Sequence, residues 1–269
     1  MVRGVPAASE ARFAGFHRQG RRLAMPPLAL APAALDRLFD DRRDAGRRLA
    51  PLLGQYARSD ALVVALPCGG VPVGYEIARS MQLSMDVLPT KRIPSPNGAG
   101  AIGALAFGGE PVFDERVAAG QRFSSAQIND AIGALSRELG GQEHRFRSGR
   151  PPLDLHRRSV ILVDDGVGTG WTIRAAISAV RARNPGPVVV AAPIASAWAC
   201  AELTAAVQHV VCVVAPRLYL SVALWYRDFS LVPDREVERL LALSAHQAAG
   251  QENREEVTIP SPVPRTARS

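Results

Sequence analysis

Four short stretches of this chain are apolar at nearly every position rather than at every second one: "DALVVAL" (60–66), "VILV" (160–163), "PVVVAAPI" (187–194) and "HVVCVVAP" (209–216). A strand wetted on one face alternates, so a solid apolar run needs cover on both faces. A fifth, shorter run spans 85–88. Helix-like patterns fall between the runs, at 73–80, 172–183 and 196–207, with a long polar helix at 124–147 capped by Ser124 or Ser125 and a closing helix at 234–244. Strand and helix in alternation predict an α/β domain with a central, mostly parallel sheet flanked by helices. In such sheets ligands gather at the carboxyl ends of the strands. Four unusual loops follow strands and are expected to meet there: "PCGGVPVG" (67–74), "KRIPSPNGAG" (91–100), "DDGVGTGWT" (164–172) and "APRLYLSVALWY" (215–226).

The flanks read differently. Residues 1–33 are rich in Arg, Ala and Pro without sustained periodicity, and are expected to be a flexible extension. Residues 249–269 are polar and contain proline, and are expected to be a disordered tail. The domain is assigned to 34–248, opening with a helical pattern over 34–57 that Pro51 kinks or breaks. The segment beginning at Thr90 is too rich in Gly, Pro and Asn in its first half for regular structure to be expected. No apolar run approaches the ~20 residues that span a bilayer.

Three cysteines, Cys68, Cys200 and Cys212, are odd in number and unevenly spaced. They suggest neither a disulfide framework nor a metal site, and favour a reducing cytoplasm. The net charge of +7 is almost all arginine and is scattered. Arginines interleaved with aromatics, as a nucleic-acid groove wants, are not evident, and a phosphorylated small molecule explains the charge equally well, so a nucleic-acid partner is not expected. Lys91 is the sole lysine of the chain, a compact ammonium where arginine is otherwise used. No histidine has ligand spacing.

The stretch "VILVDDGVGTGWT" (160–172) carries the chemistry. A glycine turn feeding a helix suits an anion, yet Asp164 and Asp165 stand beside it. It lacks the lysine of a Walker loop, and its glycines alternate behind two acids, unlike a dinucleotide fingerprint. A sugar phosphate satisfies both signs. Amides from Gly166, Val167, Gly168, Thr169, Gly170, Trp171 and Thr172, with the two threonine hydroxyls, can surround a terminal phosphate. The two carboxylates can take sugar hydroxyls, face positive charge at the ring carbon, or hold Mg²⁺ through water.

These residues resemble the 5-phosphoribosyl-1-pyrophosphate (PRPP) motif of type I phosphoribosyltransferases. Together with "FDDRRDAGRRLAPLL", "LPCGGVPVGYEIA" and "WYRDFS", the chain is similar over roughly 36–243 to bacterial phosphoribosyltransferase-like proteins of undetermined acceptor. The resemblance implies a small hood, a mobile loop, Mg²⁺, PRPP and a small-molecule acceptor, with a homodimer possible in such a family. It implies that Asp164 and Asp165 hold the ribose and that Gly166–Thr172 hold the 5-phosphate. Pro67, Cys68, Gly69 and Gly70 would form the pyrophosphate loop, often built on a strained or cis peptide. Lys91 and Arg92 would begin the mobile loop and neutralise pyrophosphate. Trp225 or Tyr226 would stack on the acceptor.

Two positions depart from the family's pattern. Cys68 stands where close relatives carry arginine, and Gly168 where purine-salvage members carry a basic aspartate. The expectation is a Mg²⁺-dependent transfer of phosphoribose to a nucleobase-like nitrogen. The alternatives are a PRPP-binding regulator that has lost turnover and a flavodoxin-like signalling domain using the acid pair for Mg²⁺.

Overall fold

Residues Leu62–Ala65 (β1) and Val160–Val163 (β6) are buried at every position, as the solid apolar runs require. In the computed structural model, which describes residues 37–98, 100–114, 123–147 and 149–256, they are adjacent parallel strands. Their register pairs Leu62 with Val160 and Ala65 with Val163. Ser84–Val87 (β2), Val188–Ile194 (β7) and His209–Val214 (β8) complete a parallel five-stranded sheet of order β2-β1-β6-β7-β8. From β1 the chain winds one way to β2, and from β6 the other way to β8. The strand order therefore reverses between β1 and β6, where an open α/β sheet binds its ligands.

Alternate strand residues serve opposite faces. Val63, Ala65, Ile161 and Val163 pack with Gly70–Met81 (α2), Val237, Leu240 and Leu241. Leu62, Val64, Val160 and Leu162 pack with Ile173, Ala176 and Val180 of Trp171–Arg181 (α4) and with Leu203 of Ala197–Thr204 (α5). Each fully buried Val or Leu side chain contributes about 1.5–3 kcal/mol, so two faces of them hold the sheet. Helix α2 is buried nearly all round because it lies between the sheet, Arg42–Leu49 (α1) and the closing helix.

Several expectations need correction. The opening helix is shorter than 34–57: Asp41 caps α1, accepting from the Asp44 N–H at 2.7 Å, and Pro51 converts the chain to a 3₁₀ turn, Ala50–Tyr56. Helix α2 starts at Gly70, ahead of Val73, with Pro72 in its first turn where a missing N–H costs nothing. The segment after Thr90 is regular. Thr90–Pro94 (β3) pairs antiparallel with Ala101–Ala106 (β4), and β4 with Val112–Phe113 (β5). Pro96, Asn97, Gly98 and Gly100, which argued against structure, lie between β3 and β4, while Pro94 ends β3. The register of β3 on β4 shifts between Ile93 and Pro94. Ile93, Ile102 and Leu105 of this small sheet pack on Leu135 and Leu139 of Ser125–Arg147 (α3). Ser124 caps α3, its Oγ accepting from the Gln127 N–H at 3.2 Å. The closing helix Asp234–Glu256 (α6) runs past Ser244 into the segment expected to be disordered. Its Ala-, Gln- and Glu-rich continuation has helix propensity without an apolar stripe. The expected extension 1–33 and the last thirteen residues, 257–269, lie outside the described residues.

Candidate active site

Strands β1 and β6 end side by side, and their loops interlock. After β1 the Leu66 N–H donates to the Val163 carbonyl at 2.8 Å. The Pro67–Cys68 peptide is cis, and Gly69 caps α2. Side chains are excluded here. A Cβ on Gly70 would stand 2.5 Å from the Val163 oxygen, and one on Gly69 would stand 2.0 Å from Asp165 Oδ2. The acid pair therefore lies directly against the backbone of the β1 loop.

After β6 the Asp165 N–H donates to Asp164 Oδ1 at 2.9 Å. The loop is then fastened from behind by Ser196, whose N–H donates to the Val167 carbonyl at 2.8 Å and whose Oγ donates to the Gly168 carbonyl at 2.7 Å. Gly170 takes φ +74° and turns the chain into α4. Two helix N-termini, those of α2 and α4, thus flank the two carboxylates. Each presents a positive dipole end, and α4 adds first-turn N–H groups; in α2 the Gly70 and Val71 N–H groups already donate to the Leu66 and Cys68 carbonyls at 3.0 and 3.3 Å, and Pro72 has none.

A cavity of about 380 Å³ opens between these loops. Asp164, Asp165, Gly166, Gly168 and Thr172 line one side, Leu66 and Pro67 the floor, Thr90 and Arg92 the hairpin wall, and Tyr219 to Val222 the remaining wall. Burial, then the neighbouring Asp165 charge, pushes the Asp164 carboxyl well above the usual range. Burial also raises Asp165, opposed by Arg42.

Arg42 was not anticipated. Its Nε donates to Asp165 Oδ2 at 2.8 Å, with the two side chains only 11% and 13% exposed. Its Nη1 donates to the Ser230 carbonyl, and its guanidinium lies 3.8 Å from the centre of the Phe229 ring. The pairing joins residues 123 apart, which no local pattern discloses.

Of the residues singled out from sequence, Asp164, Asp165, Gly166, Gly168, Thr172, Pro67 and Arg92 come together at this cavity. Others do not line it. Val167 is 2% exposed and its N–H is used by the Ile194 carbonyl at 2.8 Å, so it has no donor for a phosphate. Thr169 is exposed, and Trp171 packs on the sheet core beside Arg174. Cys68 and Lys91 line a second cavity of about 650 Å³ with Glu138, Arg145 and Asp234, and Pro67 is common to both cavities. Lys91 pairs with Glu138 there. Successive strand residues point to opposite faces, so β3 sends Lys91 into one cavity and Arg92 into the other.

The aromatics are redistributed as well. Tyr226 is 1% exposed, wedged between Phe39 and Phe229 at ring distances of 5.4 and 5.1 Å. Its hydroxyl donates to the Asp165 carbonyl at 2.6 Å, so it buttresses the acid loop and offers no stacking face. Trp225 packs on the same aromatic cluster. Tyr219 is the aromatic that lines the cavity, its ring 2.9 Å from where a Cβ on Gly168 would be. Its sequence signal was its place in the loop after the last apolar run, which Trp225 and Tyr226 share.

Among the described residues no cluster of three His, Cys, Asp or Glu side chains could hold a metal ion. Mg²⁺, which binds through one or two carboxylates and takes the rest from water and substrate phosphates, fits this donor set. A site built for a cation held by protein alone does not.

A parallel sheet with an acid pair and a glycine loop at its switch point defines the class of the type I phosphoribosyltransferases. The chain belongs to that family: the phosphoribosyl transferase domain matches residues 36–210. Two curated Mycobacterium tuberculosis proteins, each named "Putative phosphoribosyl transferase" (MT0597 and Rv0571c), are 37% identical over 206 residues. The match takes in 76% of this chain and 46% of theirs, so the chain spans about half the length of these relatives. The crystal structure of TT1426 from Thermus thermophilus superposes with a TM-score of 0.63 at 35% identity, covering 76% of this chain and 97% of that one.

Proposed function

We propose that the protein transfers the 5-phosphoribosyl group of PRPP to a nitrogen of a nucleobase-like small molecule, releasing pyrophosphate, with Mg²⁺ as cofactor. The observation that carries this reading is the pair of part-buried carboxylates held between two helix N-termini. One elongated ligand with anionic ends and a hydroxylated middle satisfies all three. The 5-phosphate takes the first-turn amides of α4 with the Thr172 hydroxyl. The ribose hydroxyls take Asp164 and Asp165, and pyrophosphate takes the positive end of α2 at Gly69 and Arg92. Mg²⁺ would be held by Asp164, with Asp165 through water, and would add charge neutralisation on the pyrophosphate side.

Transfer then proceeds without a covalent enzyme intermediate. As the bond from the anomeric carbon to pyrophosphate lengthens, positive charge grows on the ring and the acid pair faces it. Negative charge grows on the leaving group and is met by Arg92 and the α2 dipole. Arg42 favours the ionised form of Asp165 against burial and orients it, and Tyr226 fixes its backbone. Tyr219 covers the sugar-side wall and orients the acceptor ring. Holding both reactants in this pocket supplies the remainder.

One observation favours a second reading, a PRPP-binding regulator: Lys91 is paired with Glu138 in the neighbouring cavity and Cys68 carries no charge, which leaves Arg92 as the cationic side chain lining the cavity for pyrophosphate. Calorimetric titration of PRPP with Mg²⁺, followed by a screen of nucleobases for pyrophosphate release, separates the two. Binding followed by release with at least one base is the expected result. Binding without release supports the regulator. Binding unaffected by Asp164→Asn plus Asp165→Asn, expected to weaken it about tenfold or more, sinks both.

A further inference from the structure

We propose that Cys200 and Cys212 form a modification site: a hydroperoxide converts them to a disulfide that acts on the glycine loop from behind. Their spacing in sequence suggested no bridge, yet the two sulfurs stand 4.0 Å apart, one on α5 and one on β8. Both thiols are free, and Cys212 is buried while Cys200 is half-buried. A disulfide requires about 2.05 Å between sulfurs, so the gap closes by side-chain rotation and a small shift of one element.

Helix α5 is the element that yields. It has eight residues, whereas β8 is laddered to β7 from His209 to Val214. One turn before Cys200 stands Ser196, whose carbonyl accepts the Cys200 N–H at 2.9 Å. The same Ser196 holds the Val167 and Gly168 carbonyls. A pull on Cys200 therefore reaches the loop 166–170 through one residue.

The chemistry balances with the hydroperoxide as oxidant. The Cys200 thiolate attacks the peroxide oxygen, the S–O bond forms, the O–O bond breaks, and the departing alkoxide or hydroxide takes a proton. Cys212 then attacks the resulting sulfenic acid. The S–S bond forms, the S–O bond breaks, and water leaves with the Cys212 proton. Two thiols lose two electrons and the hydroperoxide gains them. The order of attack follows the geometry: Cys200 is the more exposed of the two residues, and the Cys212 sulfur beside it favours the Cys200 thiolate, holding Cys200 below its ordinary range against the effect of burial. Cys68 is the internal control. Its nearest acceptor is Asp234 at 3.7 Å, and burial and that carboxylate raise its thiol.

The test treats the full chain with stoichiometric hydrogen peroxide, then alkylates, digests and maps peptides by mass. The expected product is a Cys200–Cys212 peptide lighter by two hydrogens and reversed by dithiothreitol, with Cys68 still alkylated. In Cys212→Ser, Cys200 should stop at the sulfenic acid and be trapped by dimedone. Hydrogen exchange at 166–172, which needs no substrate, should change about threefold or more on oxidation. No linked peptide, or oxidation of Cys68 ahead of Cys200, overturns the site. A linked peptide with unchanged exchange overturns its action on the loop.

Discussion

The loops after β1 and β6 begin alike and end in opposite chemistry. Both leave four-residue strands buried at every position and paired in register, and both open a helix through glycines. The β1 loop has no side-chain charge: proline, a thiol and two glycines, pressed so close to its neighbour that a Cβ does not fit. The β6 loop carries two acids whose ionisation burial resists. The lesson is one of assignment. A backbone with helix dipoles is enough to meet an anion, while hydroxyls and developing positive charge require carboxylates, and those come with a stability cost. Arg42 stands where the two loops touch, 3.3 Å from a Cβ on Gly69 and bonded to Asp165.

That contrast breaks most severely at Arg42. Arg42→Ala leaves Asp165 buried without its cation, removes the Phe229 stack and frees Ser230. We expect a loss of about 3 kcal/mol in urea denaturation, with Arg42→Lys recovering less than half, because an ammonium cannot both stack and fork. Full recovery by lysine would show that only charge matters there.

Asp164→Asn should sharpen the contrast by separating stability from binding. A carboxyl raised by folding opposes the native state above its unfolded value of about 3.9. The native state holds the extra proton, so stability falls as pH rises from there through the raised folded value. The asparagine variant should melt about 2 °C higher at neutral pH in metal-free buffer while losing PRPP affinity. Its advantage should vanish as the pH falls into the ordinary carboxylate range. A variant that melts lower at neutral pH would contradict the electrostatic account.

The smallest effect is expected at Cys68→Arg, which gives the β1 loop the charge it lacks. Pyrophosphate should then inhibit or bind several-fold more tightly, and less than about tenfold, because the new cation is partly solvated and Asp234 competes for it. Unchanged affinity would mean that the thiol's cavity is closed to the leaving group.

The parallel sheet was legible because burial on both faces writes itself as solid apolar runs, and β1, β6, β7 and β8 all carry that signature. The β3–β4 hairpin was not, because "TKRIP" alternates weakly and the glycines and prolines of its turn mask the pairing. That Asp164, Asp165 and Pro67 would meet at one cavity was legible because strand context placed them at strand ends. Tyr219, Trp225 and Tyr226 could not be ranked from sequence. Which of them faces the cavity depends on Phe39, whose bridge to Tyr226 and contact with its ring turn the later aromatics inward. Arg42 and Tyr226 meet the acid loop across 123 and 61 residues, distances at which spacing carries no information.

The alternation of Lys91 and Arg92 along β3 makes that hairpin a selector. A side-chain period of two means that adding or removing one residue between Thr90 and Ile93 would exchange which cation each cavity receives. Changes in chain length between Pro94 and Ala101, beyond the register shift at Ile93 and Pro94, would leave both in place. Relatives differing in turn length should therefore keep the arginine at the acid pair, while those differing by a single residue inside the strand should have changed ligand.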